Sequence, residues 1–576
     1  LRCALALSLS LTGCSPRSQA VLPRFRDVTK EAGIHFKHTS GAAGKKHFVE
    51  TMGAGGAFLD YNNDGWLDVL LLNGKPLNGK GSGFAVLGSG DSTPKTQNLK
   101  PTTLSLCRNN HNGTFSDATH AAGLDVTIYA MGCAVGDYDN DGWMDIYVSA
   151  VLDSGRLFRN NKGHFEDVTE RAGVGNAGNW GTSCAWLDYD RDGDLDLYVA
   201  NYVFYRSLAD DIPCIIRGTR RSYCVPSAYK GSSGVLYRNN GDRIGLAETP
   251  APTFTDVTRE AGVYEARQKA LGVAVCDTDD DGWLDIVVAN DTSQNRLFHN
   301  VRGKFVEVAE LAGMAFGAAG QARAGMGIDV ADWRNDGTLA IAITNFPNEA
   351  IGFYTQKTPR ADALTDESAA VGIAAPSLPR LGFGILFGDW DNDGYRDLIA
   401  VNGHVQDDVA ELESGQTYAQ PALLYHNQQG EKFLEVSKDS GAPLTMPIVG
   451  RGLAAGDYDN DGRVDLLVTT NNGPAYLWRN ETPSPSHWLT IRLIGKRSNR
   501  AGIGARVSVQ ASGTEQRAWA GGASSYLSQS DTRVHFGLGS AQQAEAVTVR
   551  WTSGTVDTLR NVPADRVITV REGESR

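Results

Sequence analysis

The stretch GDYDNDGWMDIYV (136–148) places four aspartates within nine residues and follows them at once with a β-branched apolar run. The acidic part returns at one internal spacing: DYNNDGWLD (60–68), DYDNDGWMD (137–145), DYDRDGDLD (188–196), DTDDDGWLD (277–285), DWRNDGTLA (332–340), DWDNDGYRD (389–397) and DYDNDGRVD (457–465). Six of the seven fit D-x-[DN]-x-D-G-x-x-D. Carboxylates this close repel one another unless a cation sits among them. A hard ion such as Ca²⁺ takes six to eight oxygens at about 2.3–2.6 Å. Oxygens at positions 1, 3, 5 and 9, a backbone carbonyl at position 7 and a Gly at position 6 for the sharp turn supply such a shell.

The expected ligand sets follow position by position. They are Asp60, Asn62, Asp64 and Asp68 with Trp66; Asp137, Asp139, Asp141 and Asp145 with Trp143; and Asp188, Asp190, Asp192 and Asp196 with Asp194. Then come Asp277, Asp279, Asp281 and Asp285 with Trp283; Asp389, Asp391, Asp393 and Asp397 with Tyr395; and Asp457, Asp459, Asp461 and Asp465 with Arg463. The fifth loop, beginning at Asp332, has Arg334 for an acid and Ala340 for the closing carboxylate. It is predicted to be vacant, with Arg334 pairing to Asp332 and Asp336. About six structural Ca²⁺ sites result.

An EF-hand fails as an alternative, because position 12 is Leu71, Val148 or Val199 rather than a bidentate Glu, and no helices flank the loop. What flanks it is short and apolar: GAGGAFLD or MGCAVGD before, LDVLLLN or MDIYVSA after. Those are buried strands joined by an acidic turn. A second phrase follows, as in RLFRNNKGHFEDVTERAGV (156–174), whose Asn-Asn and Asn-x-x-Gly are turn chemistry and imply two more strands. Four strands per repeat make a propeller blade, and seven loops imply seven blades. Loop starts lie roughly 50 to 90 residues apart, with the excess in insertions at 75–101, 204–229 and 406–420. The last repeat stops at AYLWRN without an FxDVT phrase, while an orphan FRDVT stands at 25–29. The N-terminal strand is therefore expected to complete the last blade and remove the open edge.

The chain has 576 residues, 41% of them hydrophobic, and a formal charge of −13. Acids gathered in loops disfavour a nucleic-acid partner and favour cations. The first residues, LRCALALSLSLTGC, combine Arg2, a short apolar run and a cysteine. The run is too short to span a bilayer. Leu11 to Cys14 resemble a lipobox, with Cys14 as the lipidated residue; an ordinary secretory signal is the alternative. Ser15 rather than Asp after it points to the outer membrane or cell surface, with the periplasm as the other destination. In an exported chain Cys214 and Cys224 can form a disulfide. Cys133, Cys184 and Cys276 read as buried thiols, since no CxxC or paired His accompanies them.

The acidic repeats resemble the FG-GAP/VCBS repeats of integrin α propellers. The tail, SNRAGIGARVSV…GGASSYLSQSDTRVHFGLG…VTVRWTSG, resembles the ASPIC/UnbV domain, and together the two resemble the cartilage acidic protein family. The implied organisation is all-β: a signal at 1–13, a linker at 14–21, a seven-bladed propeller at 22–482 with N-terminal strand closure, and a β-sandwich at 483–576. Within the tail, Tyr526, Ser528, Gln529, Arg533 and His535 read as a turn with cross-strand pairs. The expectation for function is a monomeric, exported and lipid-anchored binding or adhesion protein, with carbohydrate or protein as ligand. The alternative is a propeller enzyme or accessory protein acting on polysaccharide or in a biosynthetic pathway. Its candidates are Glu50 in VETMG and His404 in NGHV, facing an axial channel. No nucleophile–base pair or paired-carboxylate phrase stands apart from the loops.

Overall fold

The computed structural model describes residues 21–77, 102–216, 218, 220–241 and 253–575. Each repeat folds into a four-stranded antiparallel sheet. In the second repeat the strands Ala130–Gly136, Asp145–Ala150, Arg156–Asn161 and His164–Asp167 pair in sequence order. Seven such four-stranded sheets occur among the described residues of the repeats. Five are built from consecutive strands, and in a sixth the two-stranded sheet Cys214–Ile216 and Arg220–Ser222 intervenes between Asp196–Asn201 and Val235–Asn239. The other takes Phe25–Asp27 from the chain start and pairs it with Tyr476–Asn480, Phe25 opposite Asn480 and Asp27 opposite Trp478. This is the closure that the orphan FRDVT phrase predicts.

The first strands of the sheets pack on one another in a closed cycle. Gly56–Leu59 touches both Ala130–Gly136 and Gly450–Gly456, so the first and last repeats are neighbours. The arrangement is a propeller. Inner strands such as Ala130–Gly136 and Gly382–Gly388 are buried along their whole length, which explains why they read as continuous small and apolar runs rather than alternating ones. Core packing lies between blades, as where Tyr138 stacks on Trp186 at 6.1 Å.

The tail forms a two-sheet sandwich. One sheet orders Val534–Gly539, His487–Ile494 and Arg566–Arg571; the other orders Thr514–Trp519, Arg506–Ala511, Gln543–Arg550 and Val556–Pro563. Leu489, Ile491, Val507, Val509, Phe536 and Trp551 lie in its core. The sandwich sits on the acidic-loop end of the propeller and touches the residue at loop position 4 repeatedly. Arg500 N donates to Asn140 Oδ1 at 2.7 Å, Arg191 Nε to Thr552 O at 2.6 Å, and Arg533 to Asn460 Oδ1 at 3.1 Å. Arg506 pairs with Asp280, and His535 Nε2 meets Asn392 Oδ1 at 2.8 Å.

One expectation is corrected here and one is refined. The axis is not an open channel, and the segment around Tyr526, read as a turn with cross-strand pairs, is what fills it. Residues 521–533 leave the sandwich and run between the inner strands. Ile328 and Ser525 exchange two backbone hydrogen bonds, and Gln529 does the same with Gly56 and Phe58. Cys133 N donates to Leu527 O at 3.3 Å, and Ser183 Oγ accepts from Leu527 N at 3.0 Å. Tyr526 and Leu527 are fully buried. The hairpin fits because glycines stand opposite it. A Cβ on Gly55 would lie 1.7 Å from Leu527 O, and one on Gly452 would lie 2.3 Å from Ser528 Oγ. Ser528 Oγ accepts Gly56 N at 3.3 Å and Ser530 Oγ accepts Ala455 N at 3.0 Å, so part of this polar run satisfies inner-strand backbone in a buried place.

Phe25 is 4% exposed and meets the edge of Trp390 at 6.1 Å. Phe25→Ala is expected to cost about 3–5 kcal/mol. Calorimetry should show a lower melting temperature; an unchanged one would mean that the closing strand does not hold the ring.

Candidate metal centres

Each acidic loop turns on two left-handed residues. Position 4 is a non-glycine with positive φ throughout: Asn63 56°, Asn140 58°, Arg191 61°, Asp280 62°, Asn335 57°, Asn392 59° and Asn460 53°. Position 6 is always Gly with positive φ, for example 94° at Gly142. The turn wraps the backbone around the first carboxylate. In the second loop Asp141 N and Gly142 N donate to the two oxygens of Asp137 at 3.0 and 2.8 Å, and Trp143 N donates to Asp141 Oδ1 at 3.0 Å. Asp145 closes the loop by accepting Tyr138 N at 3.0 Å and Asn160 N at 2.7 Å.

The carboxylates then converge. Asp137, Asp139 and Asp145 offer oxygens within 4.8 Å of one another, as do Asp188, Asp190 and Asp196, and also Asp277, Asp279 and Asp281. Buried oxygens left without a hydrogen-bond donor include Asp139 Oδ1, Asp188 Oδ1, Asp190 Oδ1, Asp397 Oδ2 and Asp459 Oδ1. An unpaired buried carboxylate oxygen is costly unless a cation or a proton meets it. Burial accordingly pushes Asp145, Asp196, Asp397 and Asp465 well above the usual carboxylate range. The same cause takes Asp68 to about 8 and Asp137, Asp188, Asp277 and Asp457 to about 7, with repulsion from loop neighbours adding to it. A histidine joins the carboxylates in two groups, Asp279 with Asp285 and His299 and Asp391 with Asp393 and His426. The carboxylate sets with orphaned oxygens fit a hard divalent cation.

Position 7 side chains differ: Trp66 stacks on His111 at 4.9 Å, whereas Arg463 Nε donates to Asn480 O at 2.9 Å and its Nη2 pairs with Asp461 in its own loop. In the first loop Asn62 donates its amide to Asp64 at 2.8 Å. In the third, Asp194 N donates to Asp192 Oδ1 at 3.0 Å.

The fifth loop differs from expectation. Arg334 does not pair with Asp332 or Asp336. It stacks over Trp333 at 4.3 Å and reaches Glu367 at 3.3 Å and Gly430 O at 3.3 Å. Asp332 instead accepts Asp336 N and Gly337 N, and Asp336 takes both Thr338 N and its hydroxyl. Backbone donors already satisfy these acids, so the guanidinium is free to go outward.

Two residue classes escaped the sequence reading. The third strand of six blades carries a basic residue just before an Asn, and in four of them it meets the loop. Arg159 pairs with Asp139 and Asp141, Arg479 with Asp459 and Asp461, and His426 Nε2 meets Asp391 at 3.0 Å. His299 Nδ1 meets Asp285 at 3.1 Å. The next residue, an Asn that reads as turn chemistry, ties blades together. Asn239 Nδ2 donates to Leu195 O in its own loop at 3.2 Å and to Tyr138 O in the preceding blade's loop at 2.9 Å. Asn160, Asn300, Asn427 and Asn480 repeat this at 2.8–2.9 Å to Tyr61 O, Tyr189 O, Trp333 O and Trp390 O. Asn109 closes the ring on Tyr458 O at 2.8 Å. In the fifth blade Gln356 does the same, to Thr278 O at 2.7 Å, and its Oε1 accepts Leu339 N. The longer amide thus serves where Ala340 supplies no carboxylate. The signal was the recurring [RH]-N dipeptide before the hairpin.

Glu50 and His404 lie at the end of the inner layer away from the acidic loops. Glu50 Oε2 accepts the Tyr223 hydroxyl at 3.0 Å and His404 Nδ1 accepts Gln406 N at 3.0 Å. Both are 2% exposed, and Glu50 Oε1 and His404 Nε2 have no partner. Neither hydrogen-bonds the other among the described residues. Burial lowers His404 to about 4 and raises Glu50. Cys214 and Cys224 are joined in a disulfide, and Cys133, Cys184 and Cys276 are buried free thiols. Cys14 lies outside the described residues.

Comparison with known proteins agrees with this division of the chain. Residues 60–148, 149–199, 277–343 and 389–468 match the FG-GAP-like repeat, and residues 495–576 match ASPIC and UnbV. Cartilage acidic protein 1 of Mus musculus is 27% identical over 464 residues, covering 77% of this chain and 64% of that protein. The Homo sapiens protein of the same name is 26% identical, covering 77% and 63%. The chain thus spans somewhat under two thirds of these relatives' length. Among solved structures, an Agrocybe aegerita lectin recognising non-reducing terminal N-acetylglucosamine aligns with TM-score 0.35 and 16% identity, over 66% of this chain and 87% of that one. BBS1N in complex with ARL6DN aligns with TM-score 0.40 and 12% identity, over 81% and 99%. With FG-GAP-like repeats, an ASPIC and UnbV tail and the same architecture as its relatives, the chain belongs to the cartilage acidic protein family.

Proposed function

We propose that the chain is an exported Ca²⁺-binding propeller that acts as a binding or adhesion protein for a carbohydrate or protein ligand. The observation that carries the calcium part is the set of orphaned, buried carboxylate oxygens in the second, third, sixth and seventh loops. Ca²⁺ there is structural: the loop oxygens surround it, and it serves to hold the turn rather than to meet substrate. About six ions per chain are expected, with the fifth loop vacant.

The binding part draws on what the tail leaves open. The sandwich covers the acidic-loop end and its hairpin fills the axis, so recognition falls to the opposite end. Strands that begin at the acidic loops, such as Asp196–Asn201 and Asp397–Asn402, deliver their following insertions there. The disulfide-bearing insertion exposes Phe204 at 43%, Ile215 at 63% and Val225 at 58%, a grouping of apolar surface suited to a ligand. A lipidated Cys14 would anchor the chain to a membrane. The family relationship supports an exported, adhesion-type role, and a glycan array alongside an extracellular-protein panel tests it. Binding that vanishes when residues 204–229 are shortened is the expected result; binding that survives the change would move the recognition surface elsewhere.

Metal removal has a signed pH dependence. A carboxylate whose folded pKa is raised stabilises the metal-free fold below its unfolded pKa, and that stability is lost as pH rises through the folded value. For Asp68, near 8, and for Asp137, Asp188, Asp277 and Asp457, near 7, the loss falls between about pH 4 and 8. In excess chelator the melting temperature should therefore fall as pH rises from 5 to 8. In excess Ca²⁺ it should be higher throughout and lose that trend. Identical melts with and without chelator would refute bound calcium.

Ion counting separates the loops. Inductively coupled plasma mass spectrometry should find one ion fewer for Asp137→Asn and an unchanged number for Asp332→Asn.

A further inference from the structure

Seven copies of one loop make departures visible. At position 8 six loops carry an apolar residue: Leu67, Met144, Leu195, Leu284, Leu339 and Val464. The sixth loop carries Arg396 instead. Three residues before the loop, the inner strands carry Ala57, Ala134, Ala185, Ala274, Leu386 and Ala454, whereas the fifth blade carries Asp329. Both departures line one cavity of about 180 Å³ between the inner strands and the C-terminal sandwich. The space exists because both walls are built from small residues there, including Ala331, Gly388 and Gly456 on the propeller and Gly522 on the hairpin.

Arg396 is only partly exposed, yet its guanidinium makes no hydrogen bond or ion pair among the described residues. The face of Phe536 lies 5.9 Å away at its ring centroid, and the carboxylates of Asp389, Asp329 and Asp332 act on the guanidinium's charge without pairing with it. The five N–H donors of Arg396 therefore face the cavity and its solvent rather than a protein acceptor. Asp329 favours the charge from a distance but does not pair with it. Its two oxygens accept Val330 N at 2.8 Å and Phe387 N at 2.7 Å, and it makes no ion pair with Arg396. Arg517 adds a second cation to the lining, held by Glu515 from the sandwich side. Arg533 is already spent on Asp531 and Asn460.

We propose that this cavity binds a small carboxylate or oxyanion, gripped by Arg396 in the two-pronged geometry that a guanidinium offers such groups. Arg517 supplies the second positive charge, and the apolar face of Phe536 keeps the first in place. The site lies between the two domains, so an occupant also bridges propeller and sandwich.

The test uses the full chain saturated with CaCl₂. Sodium sulfate and sodium acetate serve as probes, with sodium chloride at matched ionic strength as the reference. Calorimetric titration and thermal melting are the readouts. Sulfate or acetate is expected to raise the melting temperature saturably. Arg396→Met, which restores the residue type of the second loop's Met144, should weaken that binding at least about ten-fold while keeping its melt in chloride and its ion count. A native chain that responds to neither probe beyond chloride overturns the proposal, as does an Arg396→Met chain with unchanged affinity. A crystal grown with selenate gives a readout independent of the variant. An anomalous peak beside Arg396 is expected, and ordered water alone at that position counts against the site.

Discussion

An asparagine amide that spans two blades is the contact on which the ring depends. From the third strand of one blade it donates to a carbonyl in its own acidic loop and to a carbonyl in the loop before it, from Asn109 on Tyr458 O round to Asn480 on Trp390 O. The same residue's backbone N–H donates to the carboxylate that closes the loop, as Asn160 does to Asp145. Loop shape and blade spacing are therefore one problem. A loop held open or collapsed by unbalanced charge would move both carbonyls and loosen two blades at once.

That linkage explains why so much negative charge stands against buried strands. Position 1 carboxylates organise the turn, position 9 carboxylates hold the neighbouring strand, and some of the other oxygens, such as Asp139 Oδ1 and Asp459 Oδ1, have no donor. A cation at their centre would remove the repulsion and leave the geometry that the asparagines require. Position 4 adds a second ring of contacts: Asn63 donates to Gly142 O, Asn392 to Gly462 O and Asn460 to Gly65 O at 2.8–3.2 Å. The left-handed backbone at that position aims the amide at the next blade, and the same residues receive the C-terminal sandwich. The tail is thus docked on the part of the propeller that the acidic loops shape, and its hairpin supplies hydrogen bonds to inner strands from Gly56 to Ala455.

Local chemistry was legible where it repeats. Spacing of acids and glycines identified the turns, the apolar runs identified inner strands, and the orphan FRDVT phrase identified the closing strand. The [RH]-N dipeptide was visible too, but its meaning was not, because an asparagine at a hairpin is common turn chemistry and its second partner lies 101 residues away in Tyr138 for Asn239. The fifth loop shows the same limit. Arg334 beside two aspartates reads as a substitute cation, yet backbone donors had already satisfied them, and the side chain found Trp333 and Glu367.

The sequence alone determined the all-β class, the repeat, the closing strand and the carboxylate positions, since each follows from periodicity and spacing within a few dozen residues. Only the tertiary structure decided that the axis is filled. Which residue stands opposite Gly55 or Gly452 depends on how seven sheets and a sandwich dock, and nothing local marks Leu527 or Ser528 for that place. It likewise decided that Glu50 and His404 are buried at the far end, and that Arg396 and Asp329 share one cavity. The physical reason is the same in each case. Periodicity encodes which face of a strand is buried, whereas the identity of what buries it is set by packing between segments hundreds of residues apart.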